Sequence, residues 1–220
     1  MQFCTILKKS PIMKQFNIKL STLKALALLS AKKDIRFYLQ GLLVEFNPSF
    51  TRTIATNGHI LGIYQENCEN LKEGFLIIPR DVIESISSNA KNINRLITFK
   101  NNGIDTSWSF ESEPGRNVVF NPIEAKFPDY VRVTEKIKTN NLAAYYEPNY
   151  LNLFHKTIKT IGGGGFNLHF NGNDAGLITC SDPDFMGVIM PKRNESIEGS
   201  RFSQNLTSSL FTISKEVENV

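Results

Sequence analysis

The chain has 220 residues, of which 41% are hydrophobic and 21% charged, and it carries a formal net charge of +4 at pH 7. This length allows one large domain or two small ones with a buried core. No stretch approaches the eighteen apolar residues of a membrane span. The apolar segment at the N-terminus is too short for a secretory signal, and the residues after it are too polar. We expect a cytoplasmic protein whose mild positive charge permits a polyanionic partner without requiring one.

The cysteines and histidines show no spacing typical of a metal or redox site. An odd number of widely separated cysteines argues against a disulfide framework and a cysteine-based zinc site. The three histidines have no ligand spacing either. We therefore expect no metal and no other cofactor. The residues concerned are Cys4, Cys68, Cys180, His59, His155 and His169.

One pattern recurs three times: a short strand, an amphipathic helix, and then strands of alternating polarity. In the first unit, residues 16–20 alternate with the period of a strand, and Ser21 or Thr22 caps the helix that follows. A turn is predicted at residues 47–49. Further strands are predicted over residues 35–45, 51–54 and 60–64.

The second and third units repeat this order. In the second, an apolar strand over residues 75–78 precedes a helix that Pro79 opens, and the pair Asn102-Gly103 indicates a hairpin between residues 96–100 and 104–111. The third unit has a predicted strand over residues 142–146, a helix from Pro148 that ends at four glycines, and strands over residues 166–170, 177–179 and 187–190. Residues 194–220 are polar and serine-rich, and we expect a mobile tail there.

No motif in the chain indicates catalysis. The glycine run at residues 162–165 follows a helix and lacks the spacing of a phosphate-binding loop, so it is typical of a helix end. Asp182 and Asp184 flank Pro183 in a predicted turn, without a partner for acid–base chemistry. We expect a protein that is not an enzyme.

The polar faces of the three predicted helices are mostly cationic. One such face is ordinarily just solvated, but three repeated helices with similar faces favour a shared surface toward a polyanion. Asp81 and Glu84 interrupt the pattern. The cations are Lys24, Lys32 and Lys33 in the first unit, Arg80 and Lys91 in the second, and Lys156 and Lys159 in the third.

Five strings stand out in a fixed order: residues 34–43 (DIRFYLQGLL), 56–61 (TNGHIL), 77–84 (IIPRDVIE), 126–133 (KFPDYVRV) and 188–193 (VIMPKR). In order and spacing they resemble the signature strings of the bacterial sliding clamp, the beta subunit of DNA polymerase III. The string at residues 126–133 is the most specific of them.

The resemblance implies an α+β DNA-clamp fold of repeated β-α-β-β-β units, with helices on one face and antiparallel sheets on the other. Residues 14–133 resemble the family's middle domain with two units, and residues 134–193 resemble the last half of its C-terminal domain. The family's N-terminal domain and the first half of its C-terminal domain have no counterpart here. Residues 194–220 extend beyond the family's usual end as a polar tail. The chain is therefore expected to be a reduced or divergent clamp, of the kind that a phage or mobile element carries.

Clamp rings encircle duplex DNA with helices lining the hole, so the inner face needs only weak attraction to phosphates. Asp81 stands where the family tends to have a basic residue. Lys32, Lys33, Tyr38 and Arg80 match family positions near DNA. The expected DNA-binding residues are Lys24, Lys32, Lys33, Tyr38, Arg80, Lys156 and Lys159.

The family's second function is to dock short Leu-Phe peptides of polymerase, clamp-loader and repair proteins. Apolar walls and a flexible methionine suit such an anchor. Ile60 and Lys192 differ from the family's common Arg and Met, so peptide preference is expected to differ. The corresponding pocket residues are Leu39, Thr56, Gly58, His59, Leu61, Pro128, Arg132, Val133, Val188, Met190, Pro191 and Arg193.

The resemblance thus implies a non-catalytic processivity factor for DNA replication that acts as a homo-oligomer. The main alternative is a protein-binding module that keeps the pocket, makes no ring, and competes for clamp-binding peptides. A third possibility is a degenerate clamp fragment with a structural role.

The tail raises a separate question. In the family the chain ends beside the pocket, and here the tail contains the adjacent pair Leu210 and Phe211. Gln204 is too far from this pair for the family's usual peptide spacing. The sequence leaves open whether the tail is mobile or docks in the pocket.

Overall fold

The computed structural model describes residues 13–192, apart from residues 102, 104, 105 and 136. The predicted tail at 194–220 lies outside the described residues. No helix among those described is long and apolar enough to cross a membrane. The elements are β1 (Lys14–Lys19), α1 (Leu20–Ala27), a 3₁₀ turn (Phe37–Gln40), β2 (Gly41–Asn47), β3 (Phe50–Thr56), β4 (Ile60–Asn67), β5 (Gly74–Pro79), α2 (Arg80–Glu84), β6 (Leu96–Asn101), β7 (Trp108–Glu113), β8 (Arg116–Phe120), α3 (Tyr130–Glu135), α4 (Pro148–Thr160), β9 (Phe166–His169), β10 (Gly176–Cys180) and β11 (Phe185–Ile189).

The strands form two antiparallel sheets. One has four strands in the order β1-β6-β7-β8, and the other has seven in the order β5-β2-β3-β4-β11-β10-β9. The large sheet joins the first and third units, because β11 pairs with β4 with Val188 opposite Leu61. The predicted α+β class with antiparallel sheets is confirmed.

Side chains alternate between the two faces of the seven-stranded sheet, as the pleat of a strand requires. On β2, Leu42 and Val44 belong to the main core beneath the helices, whereas Leu43 belongs to a second cluster on the opposite face. Leu61 and Val188 also lie in that second cluster. The sheet therefore has two buried faces, one covered by helices and one covered by loops and α3.

Helices α1, α2 and α4 form one layer. Every residue of α1 is buried except Lys24, so this helix lies in the middle of the layer. It packs against both α2 and α4, and the Thr157 hydroxyl of α4 donates a hydrogen bond to the Ala25 carbonyl at 3.1 Å. Between the two sheets, the ring of Phe16 stacks on Phe46 and Phe99 with centroids 4.7 and 4.9 Å away.

Two glycines lie opposite each other where β4 meets β11. Gly62 pairs with Gly187 in the ladder. A methyl group at Gly62 would collide with the Leu29 side chain, and one at Gly187 would lie 2.6 Å from the Phe154 ring. The missing side chains thus allow Leu29, which follows α1, and Phe154 of α4 to pack directly onto the strand junction.

One predicted strand begins later than the sequence pattern indicates. Residues 35–45 were expected to form one buried strand, but Ile35 is 98% exposed and residues 37–40 form the 3₁₀ turn. Asp34 accepts a hydrogen bond from the Arg36 backbone N–H at 2.8 Å, and the Ala31 N–H donates to the Leu39 carbonyl. These local bonds hold the segment in a turn, so β2 begins only at Gly41.

Another predicted strand, at residues 142–146, is wrong. No strand among the described residues pairs with the segment, and a strand needs a partner with regularly spaced backbone groups. Its backbone bonds are isolated instead: the Gly172 N–H donates to the Leu142 carbonyl, and the Lys192 N–H donates to the Tyr145 carbonyl. The sequence pattern also missed β8 and α3, and β7 begins at Trp108 rather than at residue 104.

The glycine pair yields a test of this packing. Gly62→Ala and Gly187→Ala should each lower the free energy of unfolding by roughly 1–3 kcal/mol, the usual cost of overpacking a core. Gly164→Ala is the matched control, because no atom lies within 4 Å of the added methyl group. Urea unfolding followed by circular dichroism measures the difference. Equal stability of Gly62→Ala and the parent chain would contradict the packing described.

Candidate functional site

A cavity of about 370 Å³ lies on the face of the seven-stranded sheet that points away from α1, α2 and α4. It sits above the pairing of β4 with β11. Segments far apart in the sequence supply its walls: the 3₁₀ turn, the start of β4, the approach to α3, and the end of β11. The lining residues are Arg36, Tyr38, Leu39, Thr56, Gly58, His59, Ile60, Leu61, Phe127, Pro128, Tyr130, Val133, Val188 and Met190.

The floor of the cavity is apolar because of the strand register. Leu61 and Val188 are directly opposite each other on β4 and β11, and both are buried. Leu39, also buried, adds to the wall from the 3₁₀ turn. Met190 lies at the mouth with 44% of its surface exposed. A ligand with apolar side chains would therefore find a fixed floor and a flexible thioether at the rim.

The turn between β3 and β4 shapes one wall. Gly58 has φ +93°, a left-handed conformation that favours glycine. Its N–H donates to the Thr56 hydroxyl, which itself donates to the Ile60 carbonyl at 2.6 Å, and the Asn57 side chain accepts from the N–H groups of His59 and Ile60. The turn within residues 56–61 is thus held by hydrogen bonds to its own side chains, and its geometry depends on Thr56, Asn57 and Gly58.

Charged and aromatic groups surround the mouth. Arg36 forms an ion pair with Asp34 at 2.8 Å, and the hydrogen bonds from Arg36 lower the pKa of Asp34 to about 2. The His59 ring stacks on Tyr150 of α4 with centroids 5.8 Å apart, and the His59 carbonyl accepts from the Met190 N–H at 2.9 Å. The two contacts of His59 join the first unit of the chain to the third unit at this rim.

Tyr130 fixes the start of α3 against the sheet. Its hydroxyl donates to a carboxylate oxygen of Glu45 at 2.6 Å and accepts from Arg52 at 3.3 Å. Burial, followed by the contact with Glu45, raises the pKa of Tyr130. Because the aromatic ring is held on the sheet, Pro128 and Val133 on either side of it reach the cavity. Residues 126–133 therefore pack on the face of the sheet that carries the cavity.

Most of the expected pocket residues meet at this cavity. Arg132 and Pro191 are not among those that line it, and Arg193 lies outside the described residues. Sequence reasoning missed five lining residues, although each belongs to one of the quoted strings: Arg36, Tyr38, Ile60, Phe127 and Tyr130. The expected residues that do line the cavity are Leu39, Thr56, Gly58, His59, Leu61, Pro128, Val133, Val188 and Met190.

The expected DNA-binding residues fall into different environments. The Lys24 ammonium group donates to the Ile83 carbonyl at 2.8 Å, and burial lowers the pKa of this lysine. Arg80 is only 8% exposed, and it bonds Glu84 at 2.7 Å and the Ser30 carbonyl at 2.8 Å. Both cations therefore hold the helix layer together.

The remaining cations of that set are four lysines with exposed side chains. Lys32 and Lys33 follow α1 and are exposed. Lys156 and Lys159 are exposed on α4. Tyr38 lies elsewhere, because it lines the cavity on the opposite side of the sheet from the helices.

Two groups that could suggest chemistry have structural roles. Asp182 accepts a hydrogen bond from the Tyr64 hydroxyl at 2.9 Å and from the Asp184 N–H at 3.0 Å, which closes a turn. The glycine run begins where α4 ends, and Gly162 has φ +101°. Among the residues described, no three His, Cys, Asp or Glu side chains are grouped so that they could hold a metal ion.

No protein-family model matches the chain. It is similar to proteins named beta sliding clamp. The one from Buchnera aphidicola subsp. Rhopalosiphum padi is 32% identical over 116 residues, which are 51% of this chain and 30% of that protein. The one from Salmonella typhimurium is 32% identical over 120 residues, 52% of this chain and 31% of that protein. The chain therefore spans about a third of the length of these relatives.

Solved structures of beta clamps share the fold. The DNA polymerase III beta subunit of Thermotoga maritima matches with a TM-score of 0.65 at 15% identity, over 88% of this chain and 70% of that chain. A Helicobacter pylori beta clamp bound to a DNA ligase peptide matches with a TM-score of 0.65 at 13% identity, over 88% and 69%. The resemblance to sliding clamps is confirmed, and so is the clamp fold.

Proposed function

We propose that this chain, which has the fold of the bacterial beta sliding clamps, is a clamp-like processivity factor for DNA replication. In this role it encircles duplex DNA as a homo-oligomer and docks replication proteins through short peptides. The observation that carries the proposal is the cavity above the β4–β11 pairing, where the clamp-like strings at residues 34–43, 56–61, 126–133 and 188–193 converge. The work of such a factor is binding, without catalysis of its own.

Peptide capture suits the chemistry of the cavity. The floor of Leu61 and Val188 accepts apolar side chains, and Met190 can repack around ligands of different shape. One of the similar clamps is a complex with a DNA ligase peptide, which supports a peptide as the ligand class. We propose the same class of ligand here, with a Leu-Phe pair as the anchor.

Met190→Ala should weaken binding of a fluorescein-labelled Leu-Phe peptide about fivefold, because a bound peptide would cover this side chain at the mouth and truncation of such a contact residue costs about 1 kcal/mol. Met186→Ala is the matched control, since Met186 lies on β11, which ends just before Met190, and packs on the same sheet face without lining the cavity. Fluorescence anisotropy measures both. Equal losses in the two variants would contradict the proposed pocket.

Two strands at the ends of the sheets support self-association. Within the described residues, β8 ends the four-stranded sheet and β9 ends the seven-stranded sheet. Val119 on β8 is 65% exposed. Unpaired edges are templates for pairing with another chain, and unlike edges that meet head to tail generate rings. Because family rings contain twelve units and this chain has three, the boldest form of the proposal is a ring of four copies.

The mass in solution tests the ring. Light scattering coupled to size-exclusion chromatography at tens of micromolar should give four times the 24.8 kDa mass of the chain. Val119→Lys should reduce that mass, because it places a charge on an edge that would be covered. A strictly monomeric chain would remove the ring from the proposal.

Attraction to DNA would come from the exposed lysines on the helix side. Changing Lys32, Lys33, Lys156 and Lys159 together to Ala should weaken binding to duplex DNA. Each lost phosphate contact should flatten the slope of log K against log salt concentration by about one. Lys100→Ala with Lys126→Ala, which removes exposed lysines from other faces, is the control. An unchanged slope in the fourfold variant would contradict a DNA-facing helix layer, and retention on circular but not linear DNA would support encirclement.

One observation favours a second candidate, a protein-binding module that keeps the cavity and forms no ring. Lys24 and Arg80 are engaged inside the helix layer, so fewer cations face outward than the sequence pattern indicates. Such a module would compete for clamp-binding peptides. A monomer that binds the Leu-Phe peptide and has no affinity for DNA would identify it.

A further inference from the structure

The end of the described chain lies at the mouth of the cavity. Met190, which lines the cavity, is two residues before Lys192, the last residue described. Lys192 is fixed by its backbone: the N–H donates to the Tyr145 carbonyl at 2.7 Å, and the ammonium group pairs with Glu147 at 3.3 Å. The described part of the chain therefore ends beside the opening.

The mouth carries apolar surface that the described residues leave uncovered. Met190 and Val133 both line the cavity, and both are more than two-fifths exposed. The nearest charged group at the rim, Arg36, is already paired with Asp34. A covering segment would thus need apolar side chains and no charge of its own, since burial of an unpaired charge is costly.

Residues 193–220 contain one stretch with these properties. Residues 202–214 (FSQNLTSSLFTIS) have no charged side chain, whereas charged residues flank them on both sides. Within residues 193–220, Leu210 and Phe211 are the one pair of adjacent large apolar residues. The pair is thus the best apolar match to the cavity in this part of the chain.

The tether has a suitable length. Leu210 is 18 residues beyond Lys192. A flexible chain of that length has a root-mean-square span of about 23 Å, and it holds its end near the anchor at a concentration of about 1 mM. Even a peptide with a Kd of about 0.1 mM would then occupy the cavity most of the time.

We infer that Leu210 and Phe211 occupy the cavity of their own chain and compete with incoming peptides. The tail is thus a tethered ligand that admits only partners able to displace it. The inference rests on the proposed peptide-docking role of the cavity. It adds to that role a minimum affinity, because an incoming peptide must bind the cavity tightly enough to displace Leu210 and Phe211.

Truncation after Glu195 tests the inference, because it leaves every described residue in place. Two labelled probes are used in fluorescence anisotropy: the peptide of residues 204–214 and a short Leu-Phe peptide. Both should bind the truncated chain about tenfold more tightly than the full chain. Full chains with Leu210→Ala and Phe211→Ala together should behave like the truncated one, and Val217→Ala, in the same tail, should behave like the parent.

Other results of these binding measurements would contradict the inference. Equal affinity of the full and truncated chains for the Leu-Phe peptide would overturn the inference and leave the proposed pocket intact. Failure of the truncated chain to bind the Leu-Phe peptide at all would overturn the pocket and the inference together. Tenfold dilution of the full chain should not relieve the competition, and relief on dilution would overturn occupation by the same chain.

Discussion

The antiparallel pairing of β4 with β11 is the contact on which the rest of the molecule depends. It joins the third unit to the first and makes one sheet of seven strands. On one face of the ladder, Gly62 and Gly187 leave room for Leu29 and for Phe154 of α4. On the other face, Leu61 and Val188 form the floor of the cavity. A shift of β11 by one residue in this register would exchange the two faces of that strand, so that Val188 would meet the helices and Gly187 would face the cavity.

The cations predicted on the helices are of two kinds in the structure: some hold the helix layer together, and others are exposed at its surface. Arg80 and Lys24 donate to carbonyl oxygens at Ser30, Ile83 and Glu84, where turns and helix ends leave backbone acceptors without partners. A buried guanidinium needs such partners and a carboxylate, which Glu84 supplies. The lysines that remain exposed form a weak positive surface, which suits attraction to a phosphate backbone without sequence preference.

The cavity and the chain's end are linked by the same short segment. Residues 188–192 supply part of the floor, one side of the mouth and the point from which residues 193–220 depart. The backbone bond between Met190 and His59 holds this segment against the turn at residues 56–60. Any change of β11 register would therefore alter the floor, the rim and the origin of the tail together.

The amino-acid sequence by itself determined most of the alternating strands and the residue types of the cavity. It did so because local periodicity is sufficient for β1, β3, β4 and α4, and because the turn around Gly58 closes on its own side chains. Tertiary structure decided the rest. Residues 142–146 have the pattern of a strand but no partner, and α3 forms where the Tyr130 hydroxyl reaches Glu45 across 85 positions of sequence. Arg36 and Tyr38 join the cavity because a 3₁₀ turn replaces the start of a predicted strand. The end of β11 joins the other cavity walls through its pairing with β4, a long-range contact that no local pattern encodes.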